Sequence, residues 1–220
     1  MNKQILSYLY LAIGLANVVS WIFFEGAYNH FTKPLLMPIL MLYLYERFNG
    51  SVVLDTLLIF AALVFSWLGD LALMIPDKYF LLGVGSFFIA QLLYIRLFYG
   101  YKTEWSRWIN WKSMLMVIYG ALLLWKLIPP AEALKIPVAA YGVSLISMAL
   151  FAINSKAING SYTYLLCVLG AALFVLSDSM IAVDRFLFSF EYKSAWIMST
   201  YIAAQFLLVE GLTRRAKAKN

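Results

Sequence analysis

Long apolar runs, broken at short intervals by polar or turn-forming residues, dominate the chain. Eight stand out: Ile5 to Phe24, Pro34 to Tyr45, Val52 to Ile75, Tyr79 to Tyr99, Trp108 to Ile128, Ala133 to Ile153, Tyr162 to Val183 and Trp196 to Val209. Most approach the roughly 20 residues that a helix needs to cross about 30 Å of hydrocarbon. The second and last are cut short by Lys33 and Glu210, whose long side chains can snorkel, so each extends by a turn. None alternates apolar and polar residues as a barrel strand would. The breaks are short: Glu25 to Thr32, Asn49-Gly50, Pro76-Asp77, Gly100 to Arg107, Pro129-Pro130, Asn154 to Ser161 and Asp184 to Ser194. None can hold a soluble domain, so any chemistry lies inside the bundle or at its rim. The pattern predicts an all-α polytopic membrane helix bundle of about eight transmembrane helices, a single integral domain over residues 1–220.

Composition agrees. Of 220 residues, 64% are hydrophobic and 13% charged, against about 45–50% apolar and about 25% charged in a soluble domain. An excess this large must face lipid. The first run lacks an A-x-A-like cleavage site and carries Asn17 midway, so it reads as a retained helix and not a signal peptide. One cysteine, Cys167, and one histidine, His30, exclude a disulfide framework and make a His/Cys zinc site improbable. Cys167, in mid-run, reads as a buried structural thiol. No P-loop, G-x-S-x-G or G-x-G-x-x-G occurs, and no cofactor is expected. The net charge of +6 follows topology and not nucleic acid. With eight spans both termini share one side, which carries 11 of the 17 Lys and Arg residues. The positive-inside rule assigns that side to the cytoplasm, giving a multi-pass protein of the bacterial inner (plasma) membrane. Trp105, Trp108 and Trp111 beside the basic loop read as an interfacial belt.

Ionisable groups inside a span are costly, so each asks for a reason. Glu210 lies four residues before Arg214, an ordinary i,i+4 pair at a wet helix end. Lys126 reads as a snorkelling lysine, and Asp184-Arg185 as a rim ion pair or a site element. Asp70 and Asp178 are harder to dismiss. Both helices run outward, so both carboxylates sit at similar depth in the outer half of the membrane. They either bond separately to neighbouring helices or share a polar cavity. Lys33 opens the second run, where a cation opposes the helix dipole, which calls for an anionic partner: a protein carboxylate or a lipid phosphate. Gln91, Gln205 and Asn17 are embedded amides that either bridge helices or line a cavity.

The two halves look alike. Lys33-Pro34 pairs with Lys135-Ile136-Pro137, Leu68-Gly69-Asp70 with Leu176-Ser177-Asp178, and the stretch around Ala90-Gln91 with that around Ala204-Gln205. The order suggests two parallel four-helix repeats, 1–105 and 106–215, with the aspartates facing each other across an axis along the membrane normal.

These motifs resemble those of the YhhN-like family of membrane proteins, which includes the lysoplasmalogenases. The matching segments are Thr32-Lys33-Pro34-Leu35, Ser66 to Asp70 with Leu73, Phe80, Gly83 and Phe87 with Tyr94, Gly170 to Phe174 with Ser177-Asp178, and Thr200-Tyr201 with Ala204-Gln205. They run in order through most of the chain. One departure is visible: members often carry histidine where this chain has Gln91. The resemblance implies hydrolysis of the alkenyl ether bond of lysoplasmalogens to a fatty aldehyde and a glycerophospho-headgroup, with the two family aspartates falling on Asp70 and Asp178.

That chemistry suits the residues. A vinyl ether is hydrolysed by protonating its β-carbon, after which water adds to the oxocarbenium ion. Two carboxyl groups, one protonated and one ionised, can supply proton, charge stabilisation and water activation, as in glycoside hydrolysis. Which aspartate is which stays open from sequence. Lys33 is the candidate for the substrate phosphate. Gln91, Tyr94, Ser177, Asp184, Tyr201 and Gln205 complete the expected substrate-binding set. The expected partners are a lysophospholipid substrate and the bilayer, with no nucleic acid. Paired intramembrane carboxylates also suit a proton-coupled carrier, and a non-catalytic lipid-binding protein is the third reading.

Overall fold

The computed structural model describes residues 3–48, 53–102, 104, 108–155 and 160–219. The Asn49-Gly50 break, Val52, Trp105, Arg107 and Lys156 lie outside the described residues. Among the described residues the chain forms eight α-helices: α1 (Lys3–Phe23), α2 (Asn29–Arg47), α3 (Leu54–Leu73), α4 (Pro76–Tyr99), α5 (Trp111–Leu127), α6 (Lys135–Ile153), α7 (Gly160–Phe186) and α8 (Lys193–Lys219). A short 3-10 turn over Pro129–Leu134 joins α5 to α6.

Six stretches are long and apolar enough to cross a membrane by length and composition: Lys3–Phe23, Leu54–Leu73, Lys78–Tyr99, Pro129–Ile153, Gly160–Phe186 and Lys193–Ala218. The chain is an integral multi-pass membrane protein. α5, at 17 residues, and α2, with its load of polar residues, fall short of that measure, so six of the eight expected spans stand on composition alone. Large apolar side chains such as Leu15, Leu57 and Leu122 are more than half exposed on the bundle's outside, the surface that lipid covers.

Helix boundaries depart from expectation where proline reads as a start. α2 begins at Asn29, so Pro34 and Pro38 lie inside it and Lys33 occupies its second turn, not its first residue. Proline lacks the N–H that would bond four residues back. Pro38 therefore frees the Pro34 carbonyl, and the Trp67 indole of α3 donates to it at 2.9 Å. The unmet backbone acceptor is satisfied by a neighbouring helix, as it must be in lipid. This bond fastens α2 to α3 one turn from Asp70. At the other boundary, α7 continues past Val183 to Phe186. Asp184-Arg185 are thus helical and not linker.

α7 and α8 approach most closely. A Cβ on Gly170 would lie 2.9 Å from the Leu208 backbone nitrogen and 3.1 Å from the Ala204 carbonyl. Small residues let backbones meet where lipid supplies no hydrophobic drive. Cys167 is fully buried, the structural thiol expected. Several neighbour relations of the two halves correspond, with α2 on α3 and α6 on α7, α3 on α4 and α7 on α8, α1 on α2 and α5 on α6, and α4 on α6 and α8 on α2, but α1 also packs on α8 and α5 makes no comparable contact with α4.

At the end that carries both termini, α2 and α8 are tied together. Glu210 accepts hydrogen bonds from Tyr43, from Arg47 at 3.0 Å and from Arg214 at 2.6 Å. The expected i,i+4 pair is present and is one part of a clasp joining α2 to α8. Lys126 lies 4.7 Å from the Trp125 ring, as suits a snorkelling lysine. Of the expected tryptophan belt, Trp111 is exposed, but Trp108 is half-buried edge-on against Phe151.

Candidate active site

Residues of α2, α3, α4, α6, α7 and α8 converge around the two carboxylates, toward the end of the bundle remote from the termini. Asp70, three residues before the end of α3, is 2% exposed, and Asp178 on α7 is 6% exposed. Neither points into lipid.

Each aspartate is held by the helix before its own and by one from the opposite half. Asp70 faces Lys33 of α2, with Nζ 3.6 Å from Oδ1. Its Oδ2 accepts from Tyr201 of α8 at 2.7 Å. The anionic partner expected for Lys33 is thus a protein carboxylate. Asp178 accepts at Oδ2 from Tyr141 of α6 and from Gln91 of α4, the latter at 3.3 Å. Among the described residues no cationic side chain pairs with it. The two carboxyl groups therefore occupy corresponding positions in unlike surroundings.

A further layer of hydrogen bonds fixes these donors. Gln205 donates to Tyr201 at 3.3 Å and to Ser66 at 3.0 Å, and accepts from Tyr94 at 2.8 Å. Tyr201 is thereby oriented to give its proton to Asp70. Gln91 accepts from Ser144, which turns its amide N–H toward Asp178. Gln91, Gln205 and Tyr94 are each fully buried, so their polar groups need partners that lipid cannot supply. Phe87, Phe174 and Tyr201 meet edge to face, with centroids 5.9 to 6.3 Å apart, and wall off the network from below.

Two chambers open beside the carboxylates. One is apolar, lined by Leu81, Val84, Leu124, Val138, Leu145 and Ala182, and ends on Asp178 and Tyr141. The other is polar and lies at the rim, lined by Trp21, Asn29, Lys33, Asp184, Arg185 and Lys193. Leu73, Phe80 and Ile181 belong to both walls. Asp178 lies on the wall of the apolar chamber and Lys33, the partner of Asp70, on the wall of the polar one; Asp70 itself lines neither.

The structure gathers Asp70, Lys33, Tyr201 and Gln205 into one bonded group and Asp178, Tyr141, Gln91 and Ser144 into a second, and no hydrogen bond between described residues joins the two. It does not bring every expected residue to either. Ser177 is fully buried and donates to the Ile197 carbonyl at 3.1 Å, joining α7 to α8. Tyr94 acts through Gln205. Asp184 does not pair with its neighbour Arg185 but accepts from Lys193 at 2.6 Å, at the rim of the polar chamber. Asn17 donates to Asn29 and Thr32, a bridge between α1 and α2. Tyr141 and Ser144 are additions that sequence reasoning misses. A tyrosine hydroxyl amid the apolar residues of α6 needs a partner, and that is the one signal available. Among the described residues no group of three or more His, Cys, Asp or Glu side chains could hold a metal ion.

A model described as the YhhN family matches residues 28–212. The chain is similar to a mouse protein named lysoplasmalogenase TMEM86B, 31% identical over 187 residues, which are 85% of this chain and 75% of that one. A bovine protein named lysoplasmalogenase TMEM86A is 34% identical over 181 residues, 78% of this chain and 73% of its own. A rat lysoplasmalogenase TMEM86B is 32% identical over 176 residues, 80% and 68% of the two chains. No solved structure matches.

Proposed function

Because the chain belongs to the YhhN family, we propose that it is a lysoplasmalogenase-type ether hydrolase, cleaving the alkenyl ether bond of a lysophospholipid within the membrane. The observation that carries this reading is an apolar chamber that ends on Asp178 and shares a wall with a polar rim chamber, from which Lys33 reaches Asp70. The relatives are named for this activity.

The environments divide the roles. Asp70 stays a carboxylate beside Lys33. Asp178 has no cation and faces the apolar chamber, where a neutral acid is favoured over an isolated charge. Both of its donors reach Oδ2, so Oδ1 is the oxygen available to carry a proton. Asp178 gives that proton to the β-carbon of the vinyl ether, and the double-bond electrons form the new C–H bond. The positive charge left on the α-carbon and ether oxygen is stabilised by Asp70. Water adds to the α-carbon and its proton passes to a carboxylate. The hemiacetal then collapses to a fatty aldehyde and the sn-1 hydroxyl of the glycerophospho-headgroup. The sum is one vinyl ether and one water to one aldehyde and one alcohol.

All eight helices cross the bilayer in this reading, with both termini cytoplasmic and the site in the outer half. The corresponding neighbour relations of the two halves support two four-helix repeats. The polar groups at the inner end are tied up on Glu210, which joins α2 to α8, and aldehyde release separates a hydrolase from a carrier. Purified protein with lysoplasmenyl lipid tests the reading by aldehyde release. Asp70→Asn and Asp178→Asn should each lose turnover by about a hundredfold or more, the scale of general acid–base catalysis. Near-normal turnover in both would remove the mechanism.

A further inference from the structure

Arg215, near the end of α8, is fully buried. Its Nε, Nη1 and Nη2 are all shielded from solvent and all lack a hydrogen-bond partner. A buried carboxyl group can escape its charge by taking up a proton, but a guanidinium cannot lose one. A charge is tolerated in the interior when it is paired. Arg47 and Arg214 at the same end are paired, both on Glu210. Arg215 has no such carboxylate. Asp55 accepts the Tyr101 hydroxyl at 2.6 Å and takes no hydrogen bond from Arg215. Two rings stand beside the guanidinium, Phe98 with its centre 5.9 Å from Cζ and Tyr101 at 5.5 Å. Those distances lie at the outer limit of a cation–π contact, and a ring face satisfies none of the N–H groups. Unmet donors on a buried charge are the mark of a missing acceptor.

This place is remote from the reaction centre. Arg215 is fourteen residues beyond Tyr201, the donor to Asp70, which is about 21 Å along α8. It lies one turn past Gly211, where α8 meets Cys167 of α7. Two further observations bear on the ligand. α8 closes on Arg214, Arg215, Lys217 and Lys219, and a basic run at the edge of a membrane draws the phosphates of anionic lipids. Cations also suit the negative end of a helix, but that preference is met at the surface and does not account for a buried one with every donor idle. The second observation is the cover. Tyr101 stands two residues past Tyr99, the last residue of α4, and is fastened across to α3 by its bond to Asp55. A side chain on a connection turns aside at less cost than one on a packed helix.

We propose that Arg215 anchors a phosphate-binding site at the end of the bundle that carries the termini, and that its occupant is the phosphate of an anionic phospholipid from the adjoining leaflet. Two phosphate oxygens take the fork of Nη1 and Nη2, and the Tyr101 ring turns from the guanidinium to admit them. The site is separate from the two carboxylates and stands whether or not the chain cleaves an ether.

The test reads melting temperature in two arms. In one, protein in a neutral detergent is titrated with inorganic phosphate at constant ionic strength. In the other, protein is placed in nanodiscs of phosphatidylcholine, with or without phosphatidylglycerol. A hundredfold excess of phosphate over Kd should raise the melting temperature by about 5–10 °C, and phosphatidylglycerol should raise it likewise. Arg215→Met should melt no lower than wild type when phosphate is absent, because it removes an unpaired buried charge, and should gain nothing in either arm. Arg215→Lys keeps the charge without the fork and should bind inorganic phosphate about tenfold or more weakly. Lys217→Gln, exposed at the same end, should keep the wild-type response. A rise with inorganic phosphate but none with phosphatidylglycerol overturns the lipid as occupant and leaves a site for a soluble anion. A wild type indifferent to both, or an Arg215→Met protein stabilised as much as wild type, overturns the proposal. If Arg215→Met does not fold, Arg215→Lys decides, and a phosphate response equal to wild type overturns it.

Discussion

The ion pair between Lys33 and Asp70 offers the sharpest test of the energetics. Its partners are 3.6 Å apart, with side chains 13% and 3% exposed. At an effective dielectric constant of about 20 the attraction across that distance is on the order of 5 kcal/mol before desolvation is counted. Removing one partner of such a pair costs about 3–5 kcal/mol, because the other charge is left buried alone. Lys33→Met should therefore destabilise strongly. Taking about 3 kcal/mol and roughly 2–4 °C per kcal/mol for a chain of this length, the melting temperature should fall by about 6–12 °C. Asp70→Asn strands a lysine that can turn to the rim, so its cost should be smaller. The double variant leaves no charge behind, and the amide oxygen introduced by Asp70→Asn still accepts from Tyr201, so it should return to within about 1 kcal/mol of wild type. The coupling energy of the cycle is then about 2–3 kcal/mol. Thermal unfolding of the four proteins in one detergent or nanodisc measures it, with aldehyde release assayed in parallel. All three variants should be poor enzymes, which separates stability from activity. If the two single losses simply add in the double variant, the pair is not a buried, mutually compensating contact, and the assignment of Asp70 as the resident carboxylate loses its support.

Other outcomes follow from the same geometry. Tyr141→Phe removes one donor to Asp178 and should cut kcat by about 10- to 100-fold, the worth of a hydrogen bond to a reacting acid, with little change in KM or melting temperature. Unchanged kcat would make the contact incidental. Ala182→Trp should fill the apolar chamber and abolish cleavage of long alkenyl chains while the protein still melts cooperatively, and full activity would move the tail elsewhere. For topology, Cys167 is buried and makes a silent background. An impermeant maleimide added to intact cells should label Ala133→Cys, exposed between α5 and α6, and spare Ile109→Cys, 95% exposed before α5. The reverse pattern would invert the orientation.

Much of the fold is legible in the sequence because lipid is an unforgiving solvent. Spanning helices have to be long apolar runs, so the six long apolar stretches and the two shorter helices among them are visible, and a carboxylate in such a run is costly, so Asp70 and Asp178 stand out. What fails to show has physical reasons as well. Pro34 reads as a helix start because proline usually marks one. The indole that rescues the Pro34 carbonyl comes from a residue 33 positions away, which no local pattern reveals. Lys33 announces that it needs an anion, but only the packing of α2 on α3 decides between a carboxylate and a phosphate. Tyr141 gives only a weak signal, because its hydroxyl needs a partner but tyrosine is common in membrane proteins. The inequality of the two aspartates is equally hidden: it resides in their neighbours, Lys33 on one and Tyr141 with Gln91 on the other.

The clasp that Tyr43, Arg47 and Arg214 make on Glu210 fixes more than the fold. It holds the termini's end of α2 and α8 together, so whatever is cut toward the opposite end has its shortest way out there. The two fragments then go separate ways: the water-soluble glycerol half drains outward past the charged rim, and the aldehyde slides back among the acyl chains of the leaflet it came from. The protein would thus sort its own products by solvent, and the membrane, not the cytoplasm, would be first to meet the reactive one.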